Sequence, residues 1–257
     1  MSTKNRINQR MEQDKKVLSI YFTAGYPQLE DTKQIIVELA AAGVDLIEIG
    51  LPFSDPLADG PTIQASSTQA LDNGMNTKLL FDQLEGIRDE VDIPLIMMGY
   101  YNPVLQYGVR EFCQRCGEIG IDGLILPDLP LQEYRRELKP LLQEYGLSFV
   151  PLITPQTSKE RIEEIDALSD SFIYMVSSAS TTGAKSEVNE AQEAYFERIH
   201  AMQLDHPQVV GFGISDRETF QKATARAKGA IIGSAFIRML QKDGIDGIQP
   251  FIESIKN

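Results

Sequence analysis

Residues 17–50, VLSIYFTAGYPQLEDTKQIIVELAAAGVDLIEIG, contain the pattern that decides the fold. The apolar, β-branched run Val17 to Ala24 is typical of a buried strand, and Asp31 to Ala42 has the apolar spacing of an amphipathic helix. A second buried run, Asp45 to Gly50, follows directly. Because a helix between two such strands joins them in parallel, the stretch predicts one unit of a parallel sheet covered by helices.

The same alternation of strand and helix patterns continues to the end of the chain. Strand-like runs occur at Val17 to Ala24, Asp45 to Gly50, Pro94 to Tyr100, Gly123 to Asp128, Ser148 to Thr154, Phe172 to Ser177, Val209 to Ile214 and Ala230 to Gly233. Eight units suit a closed barrel better than an open sheet, and the G-x-G-x-x-G motif of a doubly wound sheet is missing after the first strand. The sequence therefore predicts the α/β class and a (β/α)8 TIM barrel. We expect a single domain over residues 1–257, with an extra N-terminal helix and an extended second βα unit.

Two local patterns add structural predictions. Thr157-x-x-Glu160 and Ser215-x-x-Glu218 have the spacing of capping boxes at helix starts. Cys113 and Cys116 form a C-x-x-C pattern, but they fall at apolar positions of a helical repeat. We therefore expect both cysteines to pack on the buried face of a helix rather than to bind metal or form a redox pair.

The charge of the chain narrows the class of partner. Its net charge of −13 argues against nucleic acid and against anionic membrane surfaces as binding partners, because both attract basic proteins.

The N-terminal residues have no apolar segment of the kind found in signal peptides, and no apolar run is long enough to span a membrane. We expect a cytoplasmic protein.

The second predicted strand carries a carboxylate in an apolar setting. Strand alternation places Glu48 on the same face as Leu46 and Gly50, which points it into the barrel. Burial should raise the pKa of Glu48 toward the range in which a carboxyl both gives and takes protons. A purely structural carboxylate, bonded to a neighbouring hydroxyl or amide, is the alternative.

The loop after this strand, LPFSDPLADGPT at residues 51–62, carries two more carboxylates, Asp55 and Asp59. Its three prolines restrict the backbone, so we expect a loop of defined shape. From position alone, Asp59 is equally well explained as a catalytic group and as the cap of the helix that begins near Pro61.

Glycine-rich strand ends predict a site for a phosphate group. The segments after strands six, seven and eight, Ser177 to Ala184, Gly211 to Asp216 and Gly233 to Phe236, allow close backbone approach, and helix N–H groups there attract anions. Glycines that only ease tight βα turns are the alternative. No lysine or histidine lies at a strand end, so proton transfer falls to carboxylates. A metal site built from Glu48, Asp55, Asp59 and Asp128 is conceivable, but without histidine or a D-x-D spacing we expect no metal.

The sequence resembles one family, the α subunit of tryptophan synthase. The segment IEIGLPFSDPLADGPTIQ at residues 47–64 is similar to the signature of that family almost letter for letter. Further similar motifs are YFTAGYP at 21–27, MGYYNP at 98–103, LPDLP at 126–130, TGA at 182–184, GFGIS at 211–215 and IGSA at 232–235. Together they span nearly the whole chain.

The resemblance implies a lyase that cleaves indole-3-glycerol phosphate to indole and glyceraldehyde 3-phosphate by a retro-aldol reaction in tryptophan biosynthesis. It implies that Glu48 and Asp59 are catalytic, together with Tyr174. The residues implied to bind the substrate phosphate are Gly183, Phe212, Gly213, Gly233 and Ser234. Those implied to form the substrate pocket and its closing loop are Phe22, Ile63 and Thr182.

The resemblance also implies a partner. Members of this family dock on a β subunit in an αββα heterotetramer, and Pro52, Asp55 and Asn102 match the docking surface. The β subunit carries pyridoxal phosphate, so we expect no cofactor on this chain. The alternatives are another phosphate-binding barrel enzyme, or a chain that acts chiefly as an allosteric activator of a β subunit.

Overall fold

The computed structural model describes residues 5–176, 185–211 and 213–256, with the backbone alone at residues 185–189. Its strands are parallel neighbours in one sheet. Their bounds are β1 Val17–Thr23, β2 Leu46–Gly50, β3 Leu95–Met98, β4 Gly123–Ile125, β5 Ser148–Phe149, β6 Leu152–Ile153, β7 Ile173–Val176, β8 Gln208–Gly211 and β9 Gly229–Ile232.

The sheet closes into a barrel through the fifth predicted strand, which is divided into β5 and β6. These two segments are the ends of the sheet, whose order is β5-β4-β3-β2-β1-β9-β8-β7-β6, and they follow each other in the chain. Between them, the Val150 N–H donates to the Leu124 carbonyl at 3.0 Å, and the Pro151 carbonyl accepts from the Tyr174 N–H at 2.9 Å. Proline has no N–H, so the ladder is interrupted at Pro151. The predicted eight-stranded barrel is confirmed, with this one division.

Helices follow the strands in turn. They are α1 Arg6–Glu12, α2 Asp31–Ala41, α3 Pro61–Asp72, α4 Thr77–Gln83, α5 Tyr101–Tyr107, α6 Val109–Ile119, α7 Leu131–Glu133, α8 Lys139–Tyr145, α9 Lys159–Leu168, α10 Lys185–Ala201, α11 Arg217–Thr224, α12 Ser234–Asp243 and α13 Ile248–Lys256. A π-helical turn, Tyr134–Leu138, joins α7 to α8, and short 3₁₀ turns lie at Ile87–Asp89 and Ile245–Gly247. Because α1 precedes β1, and both α3 and α4 follow β2, the extra helix and the extended second unit are confirmed.

Apolar side chains form one core inside the barrel and a larger one between the strands and the helices. Alternation along β1 divides its residues between them: Val17 and Tyr21 belong to the inner core, whereas Leu18, Ile20 and Phe22 belong to the outer one. The strands are thus apolar on both faces, as expected of a parallel sheet covered by helices.

Helix α1 closes the end of the barrel at which the strands begin. Ile7 and Met11 of this helix pack in the inner core. The carboxylate of buried Asp122, just before β4, accepts from Arg6 at 3.1 Å and from Arg88 at 2.5 Å, and also from the Leu95 N–H at 2.9 Å. One buried carboxylate therefore ties the N-terminal helix to the third and fourth units.

The helix starts predicted at two capping boxes are displaced by one residue. Ser158 caps α9 and Asp216 caps α11, each accepting a hydrogen bond from the N–H three residues later. The predicted caps at Thr157 and Ser215 were wrong because the next residue also has a short oxygen-bearing side chain and takes the position.

The two cysteines lie where the sequence predicted. Cys113 and Cys116 are buried and unbridged on α6, which confirms their expected position on its apolar face.

No helix in the described part of the chain is long and apolar enough to cross a lipid bilayer.

We expect Asp122→Ala to lower the free energy of unfolding by about 3 kcal/mol, because it leaves the largely buried Arg88 guanidinium without its carboxylate. Urea unfolding at neutral pH measures this change. Asp72→Ala, which removes an exposed carboxylate at the end of α3, serves as the control and should change stability little. A loss below about 1 kcal/mol for Asp122→Ala would contradict this role of Asp122.

Candidate active site

A cavity of about 350 Å³ lies at the end of the barrel where the strands finish. It is lined by Tyr21, Asp59, Ile63, Met98, Tyr174, Gly213, Ile214, Ser215, Ile231, Gly233, Ser234, Ala235 and Arg238. The structure thus brings together six of the residues named from the sequence: Asp59, Ile63, Tyr174, Gly213, Gly233 and Ser234.

Glu48 on β2 is completely buried beside this cavity. Its Oε1 accepts a hydrogen bond from the Ser19 hydroxyl at 2.8 Å, and its Oε2 has no hydrogen-bond partner among the described residues. Removal from water raises the pKa of Glu48 to about 8, although the Ser19 hydrogen bond acts in the opposite direction. At neutral pH most Glu48 carboxyls are therefore protonated and can donate a proton.

Two tyrosines separate Glu48 from the open part of the cavity, and each has a glycine on the next strand. Tyr21 pairs with Glu48 across β1 and β2, and burial together with nearby Asp59 raises the pKa of its phenol. Burial, and then the negative charge of Glu48, likewise raises the pKa of Tyr174. A Cβ on Gly50 would overlap the Tyr21 hydroxyl, and one on Gly211 would overlap that of Tyr174. Glycine is therefore required for both rings to occupy the barrel interior.

Asp59 is held by Tyr100. The Tyr100 hydroxyl donates to Asp59 Oδ2 at 3.0 Å and accepts from the Ala58 N–H at 3.0 Å. Burial raises the pKa of Asp59, while the Tyr100 hydrogen bond lowers it. Burial also raises the pKa of Tyr100, to about 12, so this phenol remains a donor at neutral pH. Helix α3 begins after Gly60 and has no side-chain cap, so Asp59 is not its N-cap.

The opposite side of the cavity is formed by backbone suited to an anion. Helix α12 begins at Ser234 directly after β9, and no side chain caps its first turn. Gly213 has a φ of +75°, a conformation that glycine adopts without strain. Together, Gly213, Gly233 and Ser234 present a helix N-terminus and flexible backbone to the cavity.

Phe22 does not line the cavity, contrary to the prediction. It is fully buried in the outer core, because alternation along β1 points it toward the helices. Its neighbour Tyr21 occupies the cavity wall instead. The alternation of Ser19, Tyr21 and Thr23 could have identified that residue from the sequence.

Thr182, Gly183 and Phe212, which were named from the sequence, fall outside the described residues.

Arg238 and Met98 line the cavity but were not predicted from the sequence, because a helix position and an apolar strand residue carry no distinctive sequence signal.

Two exposed leucines accompany the predicted docking residues in the sequence. Asp55 and Asn102 are exposed and Pro52 is half-buried. Leu57 and Leu105, 90% and 49% exposed, are the large apolar side chains exposed in the described part of the chain. They come from the same two segments as the predicted docking residues, the loop after β2 and helix α5.

The carboxylates considered for a metal site are dispersed. Within residues 5–176, 185–211 and 213–256, no three His, Cys, Asp or Glu side chains lie together as metal ligands would. Asp128 instead accepts the Tyr101 N–H at 2.9 Å, at the start of α5.

Comparison with known proteins assigns the family. Residues 7–254 match the family model described as tryptophan synthase alpha chain. A tryptophan synthase alpha chain from Flavobacterium johnsoniae is 65% identical over 98% of this chain and 100% of that protein. One from Christiangramia forsetii is 61% identical over 98% of each.

Solved structures agree with this assignment. Tryptophan synthase subunit alpha from Legionella pneumophila has a TM-score of 0.89 at 33% identity, covering 99% of this chain and 98% of that one. Tryptophan synthase from M. tuberculosis, in its aminoacrylate-bound form, has a TM-score of 0.86 at 28% identity, covering 98% of each chain. The chain therefore belongs to the tryptophan synthase alpha chain family, the lyases that cleave indole-3-glycerol phosphate in tryptophan biosynthesis.

Proposed function

We propose that this chain cleaves indole-3-glycerol phosphate with Glu48 as the group that gives and takes the proton. The observation that carries this proposal is the buried Glu48 carboxyl, whose pKa of about 8 leaves it protonated at neutral pH beside the cavity. A carboxyl with a pKa near the working pH is suited both to donate and to accept a proton within one reaction cycle.

In the first step, Glu48 gives its proton to C3 of the indole ring. The ring becomes a cation with its charge on the indole nitrogen, and Asp59 accepts the hydrogen bond of that N–H and stabilises the charge. The Glu48 carboxylate then takes the proton of the side-chain hydroxyl beside the scissile bond. As the carbon–carbon bond breaks, its electron pair returns to the ring, which leaves indole, an aldehyde and protonated Glu48.

The tyrosines position these two carboxyls and help to exclude water from them. Tyr174 and Tyr21 keep neutral phenols against Glu48, so they help to exclude water without adding charge. Tyr100 holds Asp59 by its hydroxyl at 3.0 Å and so fixes the acceptor for the indole N–H. Ile63 and Met98 supply apolar walls for the ring.

We assign the substrate phosphate to the other side of the cavity. Gly213, Gly233 and Ser234 offer backbone and a helix N-terminus there, and family resemblance adds Gly183 and Phe212. Resemblance also supports closure of the cavity by the loop that carries Thr182, which would exclude water during the reaction.

We further propose that the chain works with a partner. The family name supports a tryptophan synthase β subunit, and the heterotetramer would be αββα, docked through Pro52, Asp55 and Asn102. Family resemblance supports pyridoxal phosphate on that partner and no cofactor on this chain. We also propose that residues 1–257 are a single domain and that the protein is cytoplasmic.

Glu48→Gln should lower kcat at least a hundredfold with KM nearly unchanged, because it removes proton transfer and little binding. Asp59→Asn should also lower kcat strongly.

In the wild type, kcat/KM should fall as pH rises through about 8, where Glu48 loses its proton. Release of indole from indole-3-glycerol phosphate measures all three. Exposed Glu163→Gln on α9 is the control, and a near-normal kcat for Glu48→Gln would rule out the proposed mechanism.

The same substitution should stabilise the fold. The folded pKa of Glu48 is raised from its ordinary 4.5 to about 8, so between these values the folded state holds a proton that the unfolded state has lost, and stability falls as pH rises. Glutamine cannot ionise, so the free energy of unfolding of Glu48→Gln should exceed that of the wild type by on the order of 3 kcal/mol at pH 7. This difference should fade toward pH 4.5. Thermal unfolding across pH tests it; equal stability of the two proteins at every pH would contradict a raised pKa.

The exposed leucines give a test of the partner surface. Replacing Leu57 and Leu105 together by alanine should weaken binding to the β subunit at least tenfold, because it removes apolar area that docking would take out of water. Titration calorimetry with the purified β subunit measures it. Gln221→Ala, exposed on α11 on the other side of the barrel, is the control. Unchanged affinity of the double variant would show that the partner docks elsewhere.

A further inference from the structure

Arg238 lies on the same face of α12 as Ser234, one helical turn further along. Both residues line the cavity, together with Gly233 and Ala235 at the start of the helix. Residues four apart on a helix are neighbours on its surface, so the Arg238 side chain can reach the space above the helix N-terminus. Arg238 is exposed, which places its guanidinium at the rim of the cavity.

The charge of Arg238 is not neutralised within the described residues. Its guanidinium donates to the Thr62 hydroxyl at 3.4 Å, a long hydrogen bond to a neutral acceptor. Among the described residues that line the cavity, Arg238 is the only cation, whereas Asp59 brings a carboxylate. A dianion that enters this cavity therefore meets one strong positive charge.

The helix N-terminus alone is a weak attractor for a dianion here. It contributes about half an elementary charge, and the chain as a whole carries a net charge of −13. The planar guanidinium of an arginine can donate two parallel, charge-assisted hydrogen bonds to a phosphate group, a fork-like geometry that lysine does not match. Thr62, the hydroxyl that accepts from Arg238, lies in the first turn of α3, a helix that packs against α12.

We propose that Arg238 binds the outer oxygens of the substrate phosphate and gives the site its preference for phosphorylated over unphosphorylated substrates. The inference rests on the proposed phosphate site at Gly213, Gly233 and Ser234. Arg238 is a specificity residue, and it takes no part in the proton transfers at Glu48.

The test is steady-state kinetics of the reverse reaction, in which indole and D-glyceraldehyde 3-phosphate condense. Arg238→Gln should raise the KM for D-glyceraldehyde 3-phosphate about tenfold, or about 1.4 kcal/mol, and leave the KM for indole within about twofold. Arg238→Lys should recover part of the loss, because it restores the charge without the fork. Lys242→Gln removes an equal charge from the last turn of the same helix and should change neither constant.

A second variant separates this inference from the phosphate site beneath it. Ser234→Asp places a negative charge at the start of α12, where aspartate suits the helix but repels phosphate, so it should raise the KM for D-glyceraldehyde 3-phosphate far more. If Ser234→Asp raises this KM and Arg238→Gln leaves it unchanged, the phosphate site stands and the role of Arg238 is wrong. If neither variant raises it, the phosphate site is wrong as well. An equal rise for indole in Arg238→Gln would indicate a general disturbance of the cavity and would also overturn the proposal.

Discussion

The proposed chemistry depends on an uncharged carboxyl, Glu48, in the interior of a barrel. Among the described residues, Glu48 accepts one hydrogen bond, from Ser19, and its surroundings are apolar or phenolic, so the cost of ionising it inside the protein keeps it largely protonated at neutral pH. The same burial that lowers the stability of the fold at neutral pH makes this residue a proton donor. In the proposed mechanism, function is therefore obtained at the expense of stability at this one position, a trade-off common at active sites.

The rest of the barrel keeps this environment intact. Tyr21 and Tyr174 fill the interior above Glu48, and they fit because Gly50 and Gly211 on the neighbouring strands have no side chain. At the other end, helix α1 inserts apolar side chains and is fastened through Asp122. The carboxyl at the centre is thus shielded from solvent on both sides by packing, while the cavity beyond the tyrosines stays open to substrate.

Much of this was predictable from the sequence, because strand alternation and strand ends are periodic signals. They identified the barrel, the inward position of Glu48 and the glycines Gly213 and Gly233 that line the cavity. Alternation also contradicts the placement of Phe22 in the pocket, which resemblance had suggested and which Tyr21 fills instead. The division of the fifth strand at Pro151 and the position of Arg238 in the cavity wall were not predictable, since they depend on which groups the fold brings together.

The most direct test of this account is the titration of the Glu48 carboxyl itself. Infrared difference spectra of wild type minus Glu48→Gln, recorded from roughly pH 4 to pH 9, isolate the carbonyl band of the protonated carboxyl and follow its conversion to carboxylate. The account predicts a midpoint near pH 8. A midpoint below about pH 5, close to that of an ordinary glutamate, would contradict it.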